Sequence, residues 1–215
     1  AREQTVRRGP KEIRSRGRAV TTADYVLLAP RAPGASIARA HAVAGLHPAH
    51  PGLPVPGVVG VFVVPPDRGE PPPTPDQESL RSVARYLSSE VAPAGVEVVA
   101  AAPRYHLVRV EAQVVIDRAA DPSTVVRRVV EMLDTYLHPL TGGESGQGWP
   151  FGGPLRYVPL VQRVLGASDS IRAVTRLDFV VDGVRVPPCR DYTLSPNSLI
   201  WPEGHEVIAE QERAT

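Results

Sequence analysis

The chain has 215 residues, with 24 basic side chains against 23 acidic ones and a formal net charge of +1. That balance excludes nucleic acid or an anionic membrane surface as the main partner, because both select for a strong basic excess. No apolar run approaches the ~20 residues of a membrane-spanning helix, and the length allows one large domain or two small ones, each with its own core.

Residues 1–19 carry five arginines between Arg7 and Arg18 and no apolar face, so they read as a charged extension or the cut end of a longer chain. Thr21-Thr22-Ala23-Asp24 sets an acid three residues after a threonine. This is a capping-box pattern for a short helix through Tyr25, Leu27 and Leu28, ended by Pro30 and Pro33-Gly34. Ser36 to Val43 alternates loosely. Val58 to Val64 is a continuous apolar run bounded by prolines, the pattern of a buried strand. In Thr74-Pro75-Asp76-Gln77, Thr74 suits a cap, Pro75 the first helical position and Gln77 the closing of a box. Leu80, Val83, Ala84, Leu87 and Val91 then mark one apolar helix face. Gly95 breaks it before a strand from Val96 to Ala101.

From Leu107 the period becomes two. Val108, Val110, Ala112, Val114 and Ile116 face one way, and Arg109, Glu111 and Gln113 the other, which is a half-buried strand. Asp121-Pro122 caps a helix whose stripe is Val125, Val129, Leu133 and Tyr136 or Leu137. A glycine-rich loop follows, then a helix from about Val158 to Leu165. A long strand alternates Ile171, Ala173, Thr175, Leu177, Phe179 and Val181 before a hairpin turn at Asp182-Gly183. The expected class is α+β, with helices covering small sheets. Residues 58–182 fit one ferredoxin-like split β-α-β arrangement. They fit equally well two consecutive small α/β units, 20–103 and 104–187, followed by a C-terminal extension at 188–215. The 24 prolines, about twice the usual ~5% share, punctuate these elements rather than fill them.

Candidates for chemistry are sparse. His41, His47 and His50 gather near a proline turn, but without a carboxylate or thiolate at metal-ligand spacing. His106 and Asp117 bracket a strand, and His138 ends a helix where an imidazolium suits the dipole. Asp24, Asp117 and Asp178 have no partner acid in the sequence to support acid-base work. The arginines Arg7, Arg8, Arg14, Arg16 and Arg18 lack the interleaved aromatics of base stacking. Cys189 is alone, so no internal disulfide forms, and Ala1-Arg2-Glu3-Gln4 lacks the apolar core of a signal peptide. Both predict a reducing, cytoplasmic setting. These patterns point to no enzyme, no cofactor and no metal.

The loop 137–153 holds six glycines with Trp149 and Phe151. Flexible linkers lack such aromatics, so the loop is expected to be ordered, with Gly142, Gly143, Gly148, Trp149, Pro150, Phe151 and Gly152 as its structural residues. Glu144-Ser145 follows neither the strand-to-helix turn of a nucleophile elbow nor the Lys-Ser/Thr ending of a P-loop. A loop lying over a ligand pocket or a small enzymatic site is the rival reading of the same residues.

Three stretches together resemble the baseplate-J-like family of contractile phage tails and related injection systems. Arg16-Gly17-Arg18-Ala19-Val20-Thr21-Thr22-Ala23-Asp24-Tyr25 is similar to that family's "RAVT-x-x-DY" segment. Val61-Phe62-Val63-Val64-Pro65-Pro66 is similar to its proline-ended strand. Leu137-His138-Pro139-Leu140-Thr141-Gly142-Gly143 with Gly148-Trp149-Pro150-Phe151-Gly152 is similar to "L-x-PL-x-GG … GWPFG". The likeness runs in order over roughly residues 5–182 and matches the C-terminal part of such proteins. It implies a structural wedge that links a central hub to the sheath. Its partners would be other wedge and hub subunits and the sheath, in a hetero-oligomeric symmetric ring, with no catalytic residues. The tail residues Tyr192, Leu194, Leu199, Ile200 and Trp201 are apolar, with few expected partners inside the fold. They dock on a neighbouring subunit or add an edge strand to their own sheet.

Overall fold

The computed structural model describes residues 18–67 and 72–212. The chain divides between Pro103 and Arg104 into two compact units, and the class is α+β. The strands from 58 to 182 do not join into a single ferredoxin-like sheet, because they are shared between a three-stranded and a five-stranded one.

The first unit opens with α1 (Thr22–Leu28), continued by a 3-10 turn at Ala29–Arg31. The Asp24 carboxylate accepts from the Thr21 N–H at 2.8 Å and the Thr21 hydroxyl at 2.9 Å. The backbone N–H groups of Thr21 and Val20 hold its pKa below the usual carboxylate range. Strand β1 (Arg39–Leu46) pairs antiparallel with β2 (Pro54–Val64), which pairs parallel with β3 (Glu97–Ala101). Because β2 is the central strand, every residue from Val58 to Val64 is buried, which accounts for its unbroken apolar run. Helix α2 (Gln77–Tyr86) makes the crossover to β3 and turns its Val83 inward with Leu87 and Val91 behind it. Tyr25, Leu28, Val61 and Val63 complete that core.

Two details of α2 differ from the sequence reading. Asp76, not Thr74, is the cap, accepting from the Ser79 N–H at 2.6 Å. The Thr74 hydroxyl turns back to the Pro72 carbonyl at 3.0 Å instead. The apolar face does extend to Val91, but its last turn, Leu87–Val91, is a π-helix closed by Ala92 N–H to the Leu87 carbonyl at 2.7 Å.

The second unit is built on β4 (Arg104–Ile116). Helix α3 (Pro122–Leu137), helix α4 (Tyr157–Leu165), β5 (Ile171–Val181), β6 (Val184–Arg185), β7 (Ser198–Pro202) and β8 (Glu206–Gln211) follow. The sheet order is β6-β5-β4-β7, and β8 pairs with the same side of β4 further along. Strand β5 runs antiparallel to β4, whereas β7 and β8 run parallel to it. Val108, Val110, Val114 and Ile116 meet Val125, Val129, Leu133 and Leu137 in one core.

The Asp121 cap of α3 is as expected: its carboxylate accepts from the Thr124 N–H at 3.0 Å. The hydroxyls of Thr124 and Ser123, and after them the Thr124 N–H, bring the Asp121 pKa down to about 2. The expected alternation of β5 fails in its first half. Register shifts against β4 leave Arg172 and Thr175 without cross-strand partners, so Val174 turns inward while Ala173 and Thr175 are exposed. Each extra residue flips the facing of everything on one side of it. Asp182 and Gly183 turn the β5–β6 hairpin with φ of 50° and 79°, the positive-φ pair that a tight hairpin favours.

Between β7 and β8 the chain leaves β4 for three residues. The ladder is bridged there by the Glu203 N–H to the Val108 carbonyl at 2.9 Å and by Val110 N–H to Nδ1 of the His205 ring at 2.9 Å. A side chain thus stands in for a missing strand residue.

Candidate functional site

The glycine-rich loop is fastened from its first residue to its last. At the end of α3, the Tyr136 carbonyl receives the Gly143 N–H at 2.7 Å, and the His138 carbonyl receives the N–H groups of Gly142 at 2.9 Å and Trp149 at 3.1 Å. The loop then closes through Gly148 N–H to the Gly142 carbonyl at 2.9 Å. A Cβ on Gly142 would run into the carbonyl oxygens of Tyr136 and His138, so only glycine fits where the chain doubles back. The His138 ring turns toward the loop. Its Nδ1 accepts from the N–H groups of Leu140 and Thr141, each at 3.3 Å, and so organises the first turn of the loop.

Trp149 is 4% exposed, packs edge-on to Tyr136 at 5.4 Å and donates Nε1–H to the Gly153 carbonyl at 3.0 Å. Pro150 is exposed and Phe151 half-buried. The Gly152 N–H reaches the Ser198 carbonyl at 2.9 Å, which ties the loop to β7. Glu144 is equally committed. It accepts from the Tyr136 hydroxyl at 2.7 Å and from Arg163 of α4 at 2.6 Å. The guanidinium of Arg163 lies 3.9 Å from the Tyr136 ring centroid. The Tyr136 hydroxyl and then Arg163 hold the Glu144 pKa low, while burial pushes the phenol up. Nothing in the sequence marks Arg163 as the partner of Glu144, because the two are brought together only when α4 packs beside α3.

Beside this clamp lies a shallow cleft of about 460 Å³ lined by Arg128, Glu131, Thr135, Tyr136, Gly142 and Arg163, among others. Ser145 is exposed on the loop and is not among the residues lining it.

The tail is built into its own unit. Leu199 and Ile200 have no exposed surface, because β7 inserts them against β4 beside Tyr105 and His106. They are therefore unavailable to a neighbour in this fold. Tyr192 bridges Leu155 through two 2.9 Å backbone hydrogen bonds. Tyr192 and Leu194 are half-buried against the core. Trp201 keeps part of its surface, with its ring 6.5 Å from Tyr105 and 5.4 Å from His138.

The remaining polar candidates are tied into local pairs. Asp117 takes two hydrogen bonds from Arg172 at 2.5 and 2.7 Å. Asp178, on the sheet face away from the helices, is 6% exposed between Arg176 at 2.7 Å and Arg185 at 2.6 Å. His106 meets Asp182 at 2.7 Å. The rings of His47 and His50 lie 5.1 Å apart, and His47 accepts the Ala49 N–H at 3.1 Å. Burial lowers the His41 pKa. Among the described residues, no three His, Cys, Asp or Glu side chains converge on a point, and no helix is long and apolar enough to cross a membrane. Arg7, Arg8, Arg14 and Arg16 lie outside the described residues.

No protein-family model matches the chain, and no curated protein does. The chain does match one in the cryo-EM structure of the anti-feeding prophage baseplate, six-fold symmetrised. The TM-score is 0.69 at 18% identity, over 95% of this chain and 42% of that one. At that identity the likeness is one of fold, and this chain spans less than half the length of its neighbour. The chain thus shares its fold with part of a chain in the anti-feeding prophage baseplate.

Proposed function

We propose that this chain is a structural, non-enzymatic baseplate component of a contractile, phage-tail-like injection system, a wedge piece of the baseplate-J-like kind that links hub to sheath. The observation that carries the proposal is the fold shared with a baseplate chain over 95% of the residues, on a sequence whose three family-like stretches occur in the family's order. The internal chemistry supports the same reading. Glu144, the acid in the glycine loop, is spent on Tyr136 and Arg163, and Trp149 is buried, so the segment works as a brace.

On this proposal the partners are other wedge and hub subunits and the sheath, assembled in the cytoplasm into a symmetric ring. Tyr192, Leu194 and Trp201, which keep exposed surface, contribute to a contact with a neighbour. The wedge units are 20–103 and 104–187, followed by the extension 188–215, whose strands β7 and β8 pair with β4.

Deleting the gene from a host that makes the particle tests the proposal. Tubes or sheaths without a completed baseplate are the expected product, restored by the wild-type chain. Normal, contractile particles in the deletion strain would refute it.

A further inference from the structure

The break between β7 and β8 places a titratable side chain where the sheet needs an acceptor. The His205 side chain has no exposed surface, and its Nδ1 takes the Val110 N–H at 2.9 Å. That bond requires an unprotonated Nδ1, so the ring is neutral with its proton on Nε2. Nε2 has no hydrogen-bond partner. Its nearest acid is Asp134 of α3, at 3.5 Å and 53% exposed, which is too far and too wet to hold a buried imidazolium firmly.

The other charged groups around the ring are occupied. On β4, Arg109 spans Glu111 at 3.4 Å and Glu206 of β8 at 3.1 Å. Glu111 and Arg176 of β5 line the same hollow as His205, and Glu111 and Arg176 are themselves paired with Arg185 and Asp178. The five residues of β7 carry no titratable side chain, and Glu203 in the connecting turn is exposed.

We propose that His205 is an acid-sensitive latch: proton uptake at Nδ1 turns the acceptor for the Val110 N–H into a donor and frees β8 from the edge of β4. With the latch open, Val110 loses its partner and two N–H donors face each other, while the half-exposed strand Glu206–Gln211 has little apolar burial to hold it. Closed, the ring resists protonation, and burial pushes its pKa down to about 4. Open, it regains an ordinary value near ~6.5. The sign follows: the open form binds more protons, so acid favours opening. The opening equilibrium rises on the order of a hundredfold between pH 7 and pH 4.

Amide hydrogen exchange of the full 215-residue chain, corrected for the intrinsic pH dependence, tests this against His205→Asn, whose amide oxygen stands where Nδ1 stood. In the wild type, protection of Val110 and of Glu206–Gln211 should fall between pH 6 and pH 4 while α3 and β5 stay protected. In His205→Asn it should stay flat. An identical acid profile in the two proteins overturns the latch. A ring-proton NMR titration of the wild type provides a second reading that needs no variant. A His205 midpoint below ~5 is expected, and one near ~6.5, the ordinary value, overturns it.

Discussion

Two residues, Trp149 and Gly142, bear most of the weight of the glycine loop. Trp149→Ala removes a buried ring, its contact with Tyr136 and its bond to Gly153, and should cost about 3–5 kcal/mol in urea unfolding. Gly142→Ala forces a methyl group onto two carbonyl oxygens and should cost about 1–3 kcal/mol or more, by the rule for overpacked sites. Glu144→Gln is expected to cost less than about 1 kcal/mol, because the carboxylate is exposed to solvent and its Arg163 partner partly so. Global stability should also depend on acid. The His205 pKa is depressed in the fold, so its contribution is whole above ~6.5 and is lost as pH falls toward about 4. That loss is on the order of 3 kcal/mol, readable from urea midpoints across that window. Trp149 was legible as a docked residue because glycine-dense linkers do not carry tryptophan. His205 was not, because its role exists only where two strands break beside a third.

At the level of elements, single-period patterns were readable and local irregularities were not. The stripe of α3, the inward face of β4 and the Asp182-Gly183 turn each express one rule repeated over several residues. The two register shifts of β5 insert residues that no alternation count reveals. The π-turn after α2 keeps the apolar face while changing the hydrogen-bond spacing beneath it. For the tail the sequence left two readings, docking on a neighbour or adding a strand to its own sheet, and the fold pairs it with β4. Its apolar residues look unpartnered in sequence because their partners, Tyr105 and His106, lie far away along the chain. Ending the chain at residue 187 would strip β4 of both parallel neighbours. The burial of Leu199 and Ile200 alone stabilises by about 1.5–3 kcal/mol each. Calorimetry of that truncated chain should therefore show a large fall in Tm, or no cooperative transition for the second unit. An unchanged Tm would mean that β7 is dispensable to its sheet.

For the whole molecule, helices covering sheets could be read from the order of patterns, but not how the strands were shared between sheets. A strand following Pro103 could pair backward or begin anew, and parallel pairing of β7 and β8 with β4 depends on contacts far apart in the chain. The proposed role rests at this scale too: two small units, each braced internally, suit fixed contacts in a ring, and the fold shared with a chain of the anti-feeding prophage baseplate supports that reading. Cryo-EM of the intact particle from the producing cell measures this directly. The account predicts density for both units between hub and sheath, repeated around the particle axis. A particle whose baseplate is fully accounted for by other chains, with this one absent, would contradict it.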